Sequence, residues 1–245
     1  MKKYLLIGLF LLITTSINAQ QVSVLVFSKT AGYRHDSIET GIEALKKMAE
    51  ENNWKMTFSE DASIFNDKDL SSFSTLFFLN TTGDILNEEQ QKAMVVFIEK
   101  GNGFVGIHAA TDTEMEWEWY GEMTGAVFKN HPKIQKATVK LSKNHDHITI
   151  AHLKEQEVFL DEWYNFHLPI SEKIEVLATL DESSYTGEQM GVSHPIIWYQ
   201  IFQGARVFYT GLGHTKESFS DIRFLNQLKN AIIWTSGKEE SEDVK

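Results

Sequence analysis

His108 is the residue whose sequence setting most clearly predicts chemistry. It lies in the stretch GFVGIHAATD, Gly103 to Asp112, directly after an apolar run typical of a buried strand. A sharp turn at a strand end presents one side chain above the carboxyl edge of the sheet, where open α/β sheets bind ligands. The small residues after it allow a helix to begin close to the sheet. We therefore predict that His108 is catalytic; the alternative is a histidine that only hydrogen-bonds the turn.

Two further histidines follow other predicted strands. His35 lies in the loop after the apolar run Val22 to Phe27, and His214 follows a predicted strand that ends at Thr210. The carboxyl ends of parallel strands share one edge of a sheet, so both rings should lie near that of His108. Glu217, three residues after His214, is the predicted orienting partner of that ring. Imidazole serves as a proton carrier or a metal ligand, and more rarely as a covalent catalyst.

Other polar and aromatic residues near these histidines are candidates for substrate binding. An arginine and a tyrosine beside His35 could orient an anionic or hydroxylated ligand. An early-helix aspartate could accept from a ligand hydroxyl, although it also complements the helix dipole. Aromatic rings next to carboxylates suit the faces of sugars, and they equally suit an ordinary core. The predicted substrate-binding set is Tyr33, Arg34, Asp112, His131, Glu162, Trp163 and Tyr164.

Three converging histidines permit two mechanisms. In the first, a neutral imidazole removes a proton beside a carbonyl group while another donates to the enolate oxygen, each step contributing roughly 10²–10⁴-fold. In the second, the histidines bind a divalent metal that polarises the same carbonyl. The sequence has no HExxH spacing, so we prefer the first mechanism, assign no cofactor, and keep a divalent metal as the alternative. His145, His147 and His152 include a His-x-His pair that can hold a metal; we interpret them as surface histidines.

The elements around these residues alternate between strand and helix. Apolar runs predict strands at 22–27, 54–58 and 76–79 and one beginning at Phe104, with helices after Ser37 and after Asn87. This order predicts a flavodoxin-like α/β fold, a doubly wound and mostly parallel sheet. Later patterns predict strands at 134–141, 158–160 and 174–180, a hairpin of 196–201 with 205–210, and a last helix at 222–234. Without repeats or linkers, 20–237 is predicted to be one domain.

Both ends of the chain are predicted to lie outside this domain. Lys2 and Lys3 precede an apolar run from Tyr4 to Ile13 and a small residue, Ala19, before Gln20. This pattern predicts a signal peptide over 1–19, since the run is short for a membrane span. The mature protein is then expected to be periplasmic or extracellular, without stable membrane insertion. The charged residues 238–245 are predicted to be a disordered tail.

Composition excludes several classes of function. The formal charge is −11 and becomes −13 without Lys2 and Lys3. Phosphates would be repelled, so nucleic acid and anionic membranes are poor partners. The chain has no cysteine, which excludes disulfides, thiolate nucleophiles and zinc–thiolate sites.

Several segments, in order, carry a resemblance to a known family. The sequence resembles the ThuA-like (trehalose-utilisation) family of the class I glutamine amidotransferase-like superfamily. The segments are KTAGYRHDSI (29–38), GFVGIHAATD (103–112), FKNHP (128–132), DEWYNF (161–166), HPIIW (194–198) and YTGLGHTKESF (209–219). One departure is Asp146-His-Ile-Thr149, where such proteins often read His-Pro before Ile-Thr.

The resemblance implies a fold, a substrate class and one exclusion. It implies a class I glutamine amidotransferase-like sheet with an added antiparallel hairpin region. Because His108 occupies the position of the amidotransferase cysteine, hydrolysis of glutamine through a thioester is excluded. The implied substrate is a small carbohydrate, such as a keto-glycoside, turned over by an isomerase- or hydrolase-type reaction. A non-catalytic sugar-binding protein and a metal-dependent hydrolase of sugar derivatives are the alternatives, and a homo-oligomer is left open.

Overall fold

The structure is a computed structural model that describes residues 21–142 and 146–237. Its eleven strands are β1 (Ser23–Phe27), β2 (Lys55–Ser59), β3 (Thr75–Leu79), β4 (Gly103–Ile107), β5 (Phe128–Asn130), β6 (Gln135–Leu141), β7 (Gln156–Asp161), β8 (Asn165–Phe166), β9 (Glu175–Leu180), β10 (Pro195–Phe202) and β11 (Ala205–Thr210). Its five α-helices are α1 (Ile38–Asn52), α2 (Asp67–Leu70), α3 (Glu88–Glu99), α4 (Glu118–Thr124) and α5 (Ile222–Thr235).

Nine strands form one mixed sheet in the order β2-β1-β3-β4-β11-β10-β9-β6-β7. The first five of these are mutually parallel, and each later neighbour pairs antiparallel. β5 and β8 form a separate antiparallel pair. The predicted α/β class is confirmed: a parallel, doubly wound half is extended by an antiparallel half that includes the hairpin.

Helices cover both faces of the parallel half, as the apolar patterns require. One core packs α1 and α5 on the sheet through residues such as Leu45 and Leu228. The other lies on the opposite face, where α3 contributes Met94 and Phe97. Fully burying each such side chain contributes about 1.5–3 kcal/mol. These two cores fix the strands, and therefore the positions of the loops at their carboxyl ends.

Side chains near the ends of some helices determine where those helices begin, whereas other elements are only weakly indicated by the sequence. Asn87 and Gln90 form the reciprocal capping box that starts α3. The helix expected after His108 is only a short 3₁₀ turn, His108–Asp112, because Thr113 returns to extended backbone and forms a bridge with Gly83. α4, β5 and β8 were not predicted, since each is at most seven residues long.

The proposed signal peptide and charged tail lie outside the described residues. Of the helices in the described part of the chain, none has the length and apolar character needed to cross a membrane.

Candidate functional site

Four side chains from distant parts of the chain meet beyond the carboxyl ends of the parallel strands. His35 follows β1, His108 follows β4, and His214 follows β11, while Glu162 comes from the connection between β7 and β8. One nitrogen or carboxylate oxygen from each lies within 4.8 Å of the others. We call these four residues the histidine cluster. The predicted convergence of the three histidines is therefore found, with a carboxylate added to it.

The backbone turn at His108 aims its ring at the cluster. His108 has a φ of 45°, a left-handed conformation that costs a residue with a side chain roughly 1–2 kcal/mol. The hydroxyl of Tyr209 donates to its carbonyl at 2.7 Å, which supports the turn. Nδ1 lies 2.9 Å from the carbonyl oxygen of Gly211. A carbonyl only accepts, so Nδ1 carries the proton and the lone pair of Nε2 faces the cluster.

Glu162 connects the cluster to His131. Its Oε2 lies 3.0 Å from Nδ1 of His214 and 3.4 Å from Nε2 of His108. Its Oε1 lies 2.8 Å from Nδ1 of His131. Burial raises the pKa of the carboxyl, but His108 and His214 in their protonated forms supply hydrogen bonds and charge that outweigh burial and lower the pKa to about 2. Glu162 is therefore an anion at any physiological pH.

His35 is a buried, neutral member of the cluster. It is 3% exposed, and within the described residues its side chain forms no hydrogen bond, with Nδ1 fully buried. Burial lowers its pKa to about 3, assisted by repulsion from His108 and His214. A buried polar nitrogen without a partner costs about 1–3 kcal/mol. The site therefore keeps an unsatisfied imidazole beside two others.

A buried carboxylate, Asp161, holds two members of the cluster by their backbone. Its Oδ1 accepts from the N–H groups of Glu162 at 2.9 Å and His214 at 3.0 Å. Its Oδ2 accepts from the N–H of Gly213 and the hydroxyl of Ser218, both at 2.9 Å. These bonds join the end of β7 to the loop after β11, two segments more than 50 residues apart.

The loop after β3 completes the framework. Asn80 donates through Nδ2 to the carbonyl of Gly213 at 2.9 Å and to the hydroxyl of Ser37 at 3.0 Å. Ser37 donates to the same carbonyl at 3.1 Å. These buried hydrogen bonds hold the loop that carries His35 against the loop that carries His214. They therefore fix the positions of the two imidazole rings relative to each other.

Other predicted residues surround the cluster at the surface. Tyr33 is 64% exposed, and the centroid of its ring lies 5.0 Å from that of His35. The Tyr164 ring lies 4.1 Å from that of His108 and is buried. Asp112 is half-buried, and its burial raises the pKa to about 6. His131 is exposed in part, at 42%. The cluster thus lies just beneath a surface that carries rings and a carboxyl.

Three predicted site residues lie elsewhere. Glu217 is exposed and lines a separate cavity of about 350 Å³; the carboxylate beside His214 is that of Glu162. Trp163 is fully buried in the core and donates to the carbonyl of Gln135. Arg34 pairs with acidic side chains on the surface.

Two of the three histidines interpreted as surface residues, His147 and His152, are not part of the cluster. His147 stacks on Tyr199 and His152 contacts the carbonyl of Arg223, while His145 lies outside the described residues. Sequence reasoning also missed two supporting groups, Asp161 and the carbonyl of Gly211. The only sequence signal for Asp161 was its acidic side chain beside Glu162, in a segment that is otherwise mostly aromatic.

Comparison with known proteins shows the fold and the family. The structure is similar to that of a ThuA-like protein from Bacteroides uniformis ATCC 8492, with a TM-score of 0.74 and 23% identity, covering 89% of this chain and 93% of that one. A ThuA-like protein from Parabacteroides merdae ATCC 43184 gives a TM-score of 0.74 at 16% identity, covering 92% and 93%. A Thermoplasma acidophilum protein described as part of a GMP synthase gives 0.54 at 12% identity, covering 86% and 92%.

The search of curated proteins gives no match. The family comparison does: residues 23–235 match the ThuA family, described as trehalose utilisation. That range takes in every strand and helix described above and all four residues of the histidine cluster. The chain therefore belongs to the ThuA family.

Proposed function

We propose that this protein is an exported enzyme that processes a carbohydrate, specifically a keto-glycoside, at the histidine cluster. The observation that carries the proposal is the meeting of His35, His108, His214 and Glu162 at the ligand-binding edge of the sheet. The family description, trehalose utilisation, supports a sugar as the substrate. The sequence feature at 1–19 supports export.

The chemistry follows from what a sugar ketone requires. A C–H beside the carbonyl becomes acidic when the developing enolate oxygen is stabilised, so the site needs an electrophilic group and a nearby base. The oxygen lies against the histidine cluster, where a positive charge, on a protonated imidazole or a bound cation, would stabilise it. The C–H electrons become the enolate double bond as the proton moves to the base. Return of a proton at the other carbon gives an isomer; loss of a neighbouring glycosidic oxygen gives bond cleavage.

His131 is the best-placed base. Its Nδ1 lies 2.8 Å from Glu162 and 2.9 Å from the carbonyl of Pro132, both acceptors, so this nitrogen carries the proton. The lone pair is then on Nε2. The cluster histidines are poorer bases: both nitrogens of His108 already have partners, and the low pKa of His35 weakens it as a proton acceptor. We therefore propose that His131, and not one of the cluster histidines, is the base that removes the proton.

The exposed ring of Tyr33 and the carboxyl of Asp112 are the proposed sugar contacts. An aromatic face can pack on the C–H face of a sugar ring, while a half-buried carboxyl can hydrogen-bond ring hydroxyls. Because the pKa of Asp112 is about 6, this group can either donate or accept near neutral pH.

Proton exchange in heavy water tests this proposal. The protein would be incubated with keto-disaccharides and with their unoxidised forms, and loss of the proton beside the ketone would be followed by NMR. We expect exchange only for the keto form, reduced by roughly 10²–10⁴-fold in His131→Gln. His152→Gln is the matched control, since this residue is exposed and, among the described residues, its ring bonds only to the carbonyl of Arg223.

Two outcomes would count against the proposal. Undiminished exchange in His131→Gln would remove this residue as the base. Calorimetric binding of a keto-disaccharide, without exchange or product over long incubation, would instead identify a sugar-binding protein.

A further inference from the structure

We propose that His35, His108, His214 and Glu162 bind one divalent transition-metal ion. The role of that ion as the electrophilic centre rests on the proposed function, whereas its binding does not. Three features of the site support the ion: the distances between the four side chains, the direction of the His108 lone pair, and the carboxylates buried around them.

The distances match those between ligands of one ion. Metal–nitrogen and metal–oxygen bonds of about 2.0–2.2 Å place neighbouring ligand atoms roughly 3.0–3.5 Å apart. Nε2 of His108 lies 3.1 Å from Nδ1 of His214, and Oε2 of Glu162 lies 3.4 Å from the former and 3.0 Å from the latter. His35 completes the set within 4.8 Å.

The lone pair of His108 points in the required direction, and His35 has a side chain without a partner. The proton on Nδ1 of His108 is fixed by the Gly211 carbonyl, and a backbone acceptor of this kind commonly orients a metal-ligating histidine. His35 is buried without any hydrogen bond of its side chain in the described structure. A bound ion gives that imidazole the partner it lacks, and at the same time removes the contact between two ring nitrogens.

The buried charge around the site also favours a cation. Glu162 and Asp161 are 6% and 0% exposed, and Asp112 is half-buried. Among the described residues, the ion pairs of Glu162 involve only histidines, and neither aspartate pairs with a lysine or arginine. Buried carboxylates are normally paired or coordinate a metal. A divalent ion supplies the missing positive charge.

The donor set identifies the class of ion. Three imidazoles and one carboxylate suit zinc and neighbouring first-row metals such as cobalt, nickel and iron. Magnesium and calcium prefer sites built from oxygen ligands. We therefore assign a zinc-like divalent transition metal, and not an alkaline-earth ion.

Metal binding is tested without substrate. Full-length protein would be stripped with a chelator, and Zn²⁺ or Co²⁺ would be titrated in by calorimetry, with Co²⁺ also followed by its visible absorption. We expect one ion per chain. His35→Gln, His108→Gln, His214→Gln and Glu162→Gln should each weaken binding by at least about 100-fold, since even outer groups at metal sites contribute 10–100-fold. His152→Gln, whose ring contacts the carbonyl of Arg223 away from the cluster, should change it by less than about 3-fold.

If a variant fails to fold, a measurement on the wild-type protein still tests the proposal. Zn²⁺ should shift the imidazole NMR signals of the cluster histidines and leave that of His152 unmoved. Absence of saturable binding to the stripped wild type, or wild-type affinity in all four cluster variants, would overturn the proposal. Metal binding without keto-glycoside turnover would leave the ion site intact and refute only the proposed function; undiminished turnover by the stripped protein would refute the catalytic role of the ion.

Discussion

Replacing Asp161 by asparagine should destabilise the protein and weaken the site at the same time. The carboxylate is fully buried and accepts from four donors, three of them backbone N–H groups. Asparagine keeps one acceptor oxygen and turns an NH₂ group toward the other two donors. Hydrogen bonds to a charged group contribute about 1.5–3 kcal/mol each. Ser218 can rotate its hydroxyl to accept from the new amide, so we expect a net loss of about 3 kcal/mol.

In urea unfolding, this loss should lower the urea concentration at the midpoint. The dependence of the unfolding free energy on urea concentration should stay unchanged. For a domain of this size the loss corresponds to a fall in Tm of roughly 6–12 °C. Ser218→Ala is the graded control, because it removes one of the four donors and should cost about 1.5 kcal/mol. The double variant should lose less than the sum of the single losses, since both remove the same bond.

Asp161→Asn should also weaken divalent-ion binding by roughly 10–100-fold, because the carboxylate holds the backbone of both Glu162 and His214. Unfolding free energy within about 0.5 kcal/mol of wild type, together with unchanged metal affinity, would refute this account of Asp161.

Three further predictions concern stability away from the site. Asn87→Ala should cost about 1 kcal/mol by removing the capping box with Gln90, and an unchanged urea midpoint would contradict it. Gly103→Ala should cost about 1–3 kcal/mol because its Cβ would overlap the backbone of Thr235; a crystal structure without displacement there would argue against the cause. Burial lowers the pKa of His147 from 6.5 to about 4, so the unfolded chain binds more protons in that window and stability falls as pH drops through it. The loss should be about 2 kcal/mol and absent in His147→Asn, and parallel pH profiles of the two proteins would disprove it.

Local signals predicted much of the parallel half of the fold. The apolar run before His108 and the Asn87–Gln90 pair each specify their element through nearest neighbours, and both were found where expected. α4 and the β5–β8 pair were missed because short elements depend on tertiary packing more than on their own sequence. The family resemblance, carried by ordered segments, is confirmed by the match over 23–235.

The partner of His214 shows where sequence proximity fails. Glu217 is three residues away and was the predicted partner, yet its side chain is exposed and lines another cavity. The chain after His214 turns away because Asp161 binds both the backbone of His214 and the hydroxyl of Ser218. A carboxylate 52 residues earlier, that of Glu162, fills the position instead.

The sequence alone determined which chemistry this protein could not perform. Without a cysteine, and with His108 at the strand end, no thioester can form, because that conclusion depends only on which atoms the chain contains. Where imidazoles and carboxylates meet is a different kind of property. It depends on long-range contacts, such as the Gly211 carbonyl that fixes the His108 ring and the Asp161 carboxylate that joins two distant loops. Only the tertiary structure sets those contacts, since they link residues separated by more than 50 positions whose distances no local pattern encodes.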